Sequence, residues 1–154
     1  MKIYIGTDHA GFELKEELKR HLLDLGCEVQ DMGAYEFNEE DDYPDFIFPV
    51  VKKVAEAILK GEDSKGIVIG GSGQGEAIVA NKVRGIRAAV VYDEYSARMS
   101  REHNDANIIS LGNRTLDTGK AKKLVKIWLE TPFSNEARHK RRIEKIKAIE
   151  NNNF

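Results

Sequence analysis

The run Gly66–Gly70 reads GIVIG, apolar at every position and five residues long. A segment this short, with no polar face, suits a strand covered on both sides, as in the interior of a parallel sheet. It opens directly into GGSGQGE, with glycines at 70, 71, 73 and 75. Such a turn permits positive φ angles and leaves backbone N–H groups uncovered. Parallel strands need crossovers of a dozen or more residues, usually helical. The rest of the chain should therefore alternate strands with helices.

It does. Lys2 to Gly6 reads as a first strand, and Gly11 to Leu25 as an amphipathic helix carrying Leu14, Leu18, Leu22 and Leu25, stopped by Gly26. Cys27 to Met32 is a second strand. Residues 34–46 form an irregular acidic loop, in which Pro44 can open the next helix. Phe46, Val50, Val54, Ala57 and Ile58 line that helix up to Gly61. After the third strand, Glu76 to Lys82 reads as a short helix, Ile86 to Tyr92 as a strand, Glu94 to His103 as a helix and Ala106 to Leu111 as a fifth strand. Asp117 caps a helix to about Glu130, and a last helix runs from about Asn135 to Ile149. No internal repeat is visible. The expected fold is a three-layer αβα Rossmann-like sandwich around a five-stranded parallel sheet, formed by one domain over residues 1–150 with a polar tail at 151–154.

Composition narrows the class. The 154 residues carry 24 Lys+Arg against 26 Asp+Glu, a net charge of −2, which argues against a general nucleic-acid binder. The balance hides segregation: residues 36–45 hold six acidic side chains and no basic one, while 138–147 hold six Lys/Arg and one glutamate. No apolar run approaches the ~20 residues of a membrane span, and the start MKIYIGTDHAGFELK lacks a signal-peptide core. Cys27 is the single cysteine, so neither an internal disulfide nor a Cys-based zinc site can form. A cytoplasmic protein without membrane or nucleic-acid partners is expected.

Open parallel sheets bind ligands outside the carboxyl ends of their strands, which directs attention to the residues following each strand. The Gly71–Gly75 turn is neither a P-loop nor a dinucleotide fingerprint. Glu76 stands where the former needs lysine and where the latter would place its third glycine. A carboxylate beside an anion-seeking turn is either a helix-dipole partner or a general base beside an oxyanion hole, suited to removing a proton α to a carbonyl. Asp8-His9 follows the first strand. A dinucleotide reading, with Asp31 as ribose acid, fails because Asp8 would repel a pyrophosphate. His103 ends a helix, where it can complement the dipole or transfer protons near neutral pH; His21 reads as surface. Arg138 and Arg142 share a helix face and, with Arg114 after the fifth strand, could fix a dianionic phosphate, although a charge run is commonly a solvated face.

Together, GTDHAGFELK at 6–15, DYPDF at 42–46, GGSGQGEAIVANKVRGIRAA at 70–89, SREHNDANIISLGNR at 100–114 and TPFSNEARHKRRIEKI at 131–146 carry a resemblance. The chain resembles the type B ribose-5-phosphate isomerases, in the family that also holds the galactose-6-phosphate isomerase subunits. The resemblance implies interconversion of D-ribose 5-phosphate and D-ribulose 5-phosphate without metal or cofactor. It also implies a homodimer, or a pair of dimers, with active sites at the subunit interface. By position, Asp8, His9 and Asn104 contact the sugar. Gly71, Ser72, Gly73, Gln74 and Gly75 form the anion hole, with the Ser72 hydroxyl assisting at O1. His103 opens the furanose ring; Arg114, Arg138 and Arg142 bind phosphate; Tyr43 lines the pocket. One branch of the family uses a cysteine base at the position of Gly70. This chain resembles the other branch, in which the glutamate after the glycine turn, here Glu76, is the base. An isomerase of a six-carbon sugar phosphate and a non-catalytic phosphate- or nucleotide-binding module stay open. A receiver domain does not, since its phosphoacceptor aspartate would fall on Gly70.

Overall fold

The structure is a computed structural model and describes residues 1–152; Asn153 and Phe154, the last two residues of the expected 151–154 tail, lie outside the described residues. Five parallel strands, β1 (Lys2–Thr7), β2 (Glu28–Asp31), β3 (Ser64–Gly70), β4 (Ala88–Val90) and β5 (Ile108–Gly112), stand in the order β2-β1-β3-β5-β4. Strand order reverses between β1 and β3, the switch point at which such sheets open a crevice.

Among the described residues, six α-helices accompany them: α1 (Phe12–Asp24), α2 (Tyr43–Leu59), α3 (Gln74–Ala80), α4 (Glu94–Glu102), α5 (Thr118–Glu130) and α6 (Ala137–Asn151). On one face of the sheet, Leu14, Leu18 and Leu22 of α1, Ala97 of α4 and Leu124, Val125 and Trp128 of α5 bury against Ile3, Ile5, Ile67, Ile69, Ile109 and Leu111. On the other, Ile47, Val50, Val51 and Val54 of α2 and Ala80 of α3 bury against Tyr4, Val68 and Ile108. The strand alternation Ile67/Ile69 against Val68 shows β3 packed on both sides, as its sequence demands. The three-layer αβα sandwich is thus observed.

Local boundaries shift for identifiable reasons. A single 3₁₀ turn, His9–Gly11, precedes α1, because the Asp8 side chain accepts from the Ala10 N–H and caps it. The expected fourth strand, 86–92, contracts to Ala88–Val90 at the sheet edge. There the Arg87 and Ala88 N–H groups donate to the side-chain amides of Asn107 and Asn81. Gly26 ends the α1 region with φ +77°, Asp117 caps α5 through the Lys120 N–H, and α6 extends two residues beyond the expected Ile149. His21 is half-buried rather than surface, its Nε2 3.2 Å from the Lys122 carbonyl oxygen of α5.

Candidate active site

The carboxyl ends of β1, β3 and β5 converge at the switch point. β3 feeds the glycine turn, where Gly73 takes φ +79° and the Ser110 hydroxyl donates to its carbonyl at 2.6 Å. A side chain on Gly73 would meet both the strained φ and the β5 backbone. The Asn113 and Arg114 N–H groups donate to the Gly70 and Gly71 carbonyls, locking the turn to the end of β5. That leaves the N–H groups of Gly71, Ser72 and Gly73 with no backbone acceptor among the described residues. Ser72 is exposed, its Oγ accepting from the Gln74 N–H at 3.3 Å.

Glu76 sits in the first turn of α3 with its carboxyl folded back over Gly70, in the volume a Cβ at that position would need. It is buried, 4% exposed, and its Oε2 has no hydrogen-bond partner among the described residues. Burial raises its pKa above the ordinary carboxylate value; a bond from its own backbone N–H offsets part of this, and the nearby Asp8 charge adds to the rise. Asp8 is raised too, chiefly by burial, with His9 opposing. Two carboxyls with raised pKa thus stand near one another past the ends of β1 and β3, which makes them candidates for proton transfer.

Around them stand the other residues of this edge. The Tyr43 ring, at the start of α2, lies against Gly75 closely enough that a Cβ there would collide with its hydroxyl end. The Arg114 guanidinium lies over Gly71. His9 lies against Asp41 of the acidic loop, with Nδ1 2.6 Å from Oδ1. One ligand atom each from Asp8, His9 and Asp41 lies within 4.8 Å of the others, a spacing that could hold a cation. The bond between His9 and Asp41 already occupies two of the three.

The second group of expected site residues lies elsewhere in the chain. His103 caps the C-terminus of α4, immediately before β5, and its ring lies 4.3 Å from that of His139 on α6. Arg138 and Arg142 are on the same helix. This cluster belongs to the amino-terminal edge of the sheet: Lys140, Ile143 and Lys147 of α6 line a cavity of about 660 Å³ together with Ser64 and Lys65, the first residues of β3. Seven residues of β3 separate that edge from the glycine turn, about 20 Å at ~3.3 Å per residue. Within one chain, then, Asp8, His9, Tyr43, Gly71–Gly75, Glu76 and Arg114 come together, and His103, Asn104, Arg138 and Arg142 form a separate cluster. The expectation of three arginines in one pocket is not met by a single chain.

Sequence reasoning passed over several supporting residues. Asp41 is one of six acids in 36–45, and nothing in the string distinguishes it. His139 is 1% exposed, with Nδ1 2.8 Å from the Ser134 Oγ; burial lowers its pKa, and the charges of His103 and Arg138 lower it further. Lys15, fully buried on α1, reaches both oxygens of Asp31 (2.8 and 2.9 Å) and the Ala34 carbonyl, holding down the start of the acidic loop. Asp31 is therefore a structural ion-pair partner. Burial alone would raise its pKa, but the bonds from Lys15, Lys19 and the Gly33 N–H bring it below the usual value.

A parallel sheet with polar side chains gathered at its switch point, outside the ends of β1, β3 and β5, defines a doubly wound α/β protein. More specifically, the chain belongs to the Ribose/Galactose Isomerase family, whose profile matches residues 3–146. Ribose-5-phosphate isomerase B of Escherichia coli (strain K12) is 44% identical over 149 residues, 97% of this chain and 96% of that protein. The solved structure of Clostridium thermocellum ribose-5-phosphate isomerase B superposes with a TM-score of 0.89 at 49% identity, covering 98% of each chain. That of Mycoplasma genitalium ribose-5-phosphate isomerase B with bound ribulose-5-phosphate gives 0.93 at 38% identity, covering 99% of this chain and 97% of that one. Among the described residues no helix is long and apolar enough to cross a membrane.

Proposed function

We propose that the protein interconverts D-ribose 5-phosphate and D-ribulose 5-phosphate through an enediolate, with Glu76 as the base. The observation that carries this reading is the buried Glu76 carboxyl, one oxygen of which has no partner among the described residues, beside the Gly71, Ser72 and Gly73 N–H groups, which have no backbone acceptor among them. Family membership and the names of its relatives support the substrate.

In this mechanism Arg114, Arg138 and Arg142 anchor the phosphate and so position the distant C1–C2 end of the sugar. His103 opens the furanose by moving a proton from the anomeric hydroxyl to the ring oxygen, and Asn104 holds the sugar beside it. Asp8 and His9 contact the sugar hydroxyls, and Tyr43 walls the pocket. Glu76, made more basic by burial, removes the C2 proton of the open aldose. The C2–H electron pair forms the C1–C2 double bond, and the carbonyl pair moves onto O1, stabilised by the Gly71, Ser72 and Gly73 N–H groups and the Ser72 hydroxyl. The O2 proton passes to the O1 oxyanion, re-forming a carbonyl at C2 and leaving a hydroxyl at C1, while the C1–C2 double-bond pair takes the proton back from Glu76 at C1. No proton or electron is lost overall.

Because one chain separates Glu76 from His103, Arg138 and Arg142, the working site is built from two copies. Each copy lends its amino-terminal-edge cluster to the other's switch point, the arrangement a two-fold dimer permits.

The test is turnover. Incubation with ribose 5-phosphate should yield ribulose 5-phosphate, with kcat/KM higher than for allose 6-phosphate or galactose 6-phosphate. A higher value for a six-carbon substrate would move the assignment to that sugar. Tight binding of sugar phosphates with no turnover of any would leave a binding module.

A further inference from the structure

Of the six acids in residues 36–45, Asp41 alone is turned inward onto a residue of the site. Both its oxygens accept from the His9 backbone N–H, at 3.2 and 3.0 Å, and Oδ1 lies 2.6 Å from His9 Nδ1. Its side chain is only 5% exposed, against 27% for His9. The contact joins positions thirty-two residues apart and closes the acidic loop onto the turn that follows β1. The Phe37 ring, from the same loop, meets the His9 ring edge-on at 6.2 Å.

A carboxylate at Nδ1 requires that nitrogen to carry the proton. The ring is thereby fixed in orientation, and Nε2, which has no partner among the described residues, is left for a ligand. The charged groups facing His9 are Asp41 from the loop, Asp8 from the adjoining turn and Arg114 from the end of β5. The two carboxylates outweigh the guanidinium and burial, so His9 titrates above its ordinary value, with the Asp41 bond as the leading cause.

We infer that Asp41 is a positioning residue for sugar binding, holding His9 with Nδ1–H toward the loop and Nε2–H toward a sugar oxygen. This rests on the sugar-phosphate reading above. Asp41 touches no reacting atom; it acts through His9, fixing the ring's orientation and favouring its protonated, donating form.

The test pairs NMR titration of the His9 ring with kinetics on D41N, D41E and H9Q. In the wild type the His9 midpoint should lie above 6.5, its ordinary value. In D41N it should fall, and kcat/KM above pH 7 should drop about tenfold, mainly through KM, as loss of one charged hydrogen bond would give. The gap should narrow below about pH 6, where imidazole is protonated in both proteins. D41E should recover most of the loss. In an H9Q background D41N should add less than about a twofold change. A wild-type midpoint at or below 6.5, which needs no variant to fold, overturns the inference. So does an unmoved pH profile in D41N, or an equal D41N effect with and without His9. Absence of turnover with any sugar phosphate would sink the isomerase reading instead, while the His9 titration still decides the Asp41 link.

Discussion

The Glu76 carboxyl lies in the space that a side chain on Gly70 would fill. The two positions are six residues apart, across the glycine turn, yet they compete for one volume at the end of β3. The lack of a side chain at 70 is what admits the Glu76 carboxyl to that space.

Gly70→Ala should therefore expel the carboxyl. Activity should fall at least tenfold while the fold survives, with a stability loss of about 1–3 kcal/mol from overpacking. Turnover and urea unfolding measured on the same preparation check this. A variant with full activity would mean that Glu76 works from another position.

Glu76→Gln should lower kcat by roughly 10²–10⁴ and leave inorganic phosphate binding intact. It should also stabilise the protein at neutral pH. The folded state holds this proton more tightly than the unfolded state, whose carboxyl titrates near the ordinary 4.5. Stability is therefore lost as pH rises from there through the folded pKa. Glutamine escapes that loss, so Tm at pH 7 should exceed wild type, with the difference vanishing as pH falls below the ordinary 4.5. Calorimetry at pH 7 and pH 4 decides it; a lower Tm at both would contradict the burial argument.

If two copies share each site, E76Q and H103A should complement. Each variant alone should be inactive, whereas random mixing of subunits should return roughly a quarter of wild-type activity, from the one intact site in each mixed dimer. Mixed dimers isolated by two different tags, freed of either parent, should show about half. Mixed dimers that stay inactive would place both residues in the same chain's site.

Arg142→Ala should raise KM for the sugar phosphate by about 10–100-fold with a smaller effect on kcat, and Arg142→Lys should recover only part, since lysine lacks the planar fork. Steady-state kinetics at constant ionic strength separates this from general screening.

Lys15→Met tests the support beneath the site. Removing a fully buried lysine leaves Asp31 and the Ala34 carbonyl without their shared donor, a loss of about 3–5 kcal/mol. Asp31 has a lowered folded pKa, so its contribution is present above the ordinary 3.8 and lost as pH falls through the folded value. The gap between K15M and wild type should accordingly shrink in acid, as urea titrations at pH 7 and pH 3 would reveal.

Much of the fold was legible because local rules agree with the global one. GIVIG could satisfy its apolar faces only inside a parallel sheet, Gly26 and Asp117 punctuate helices by mechanisms that act within a few residues, and the glycine turn with Glu76 lies in one continuous string. Edges were less legible: β4 shortens because Asn81 and Asn107, distant in sequence from one another, take over its N–H groups.

What the sequence alone determined is the order of strands and helices, and which residues have the chemistry for a phosphate, a base and an oxyanion. Periodicity and turn chemistry are short-range, so a linear string carries them. Only the tertiary structure decided which of those residues meet. It turned Asp41 inward from among six similar acids, locked Asp31 to Lys15, and set Arg138, Arg142 and His103 at the opposite sheet edge from Glu76 and Arg114. Each of these depends on strand order and on the length of β3 between the two edges, which are long-range geometry that no local spacing encodes.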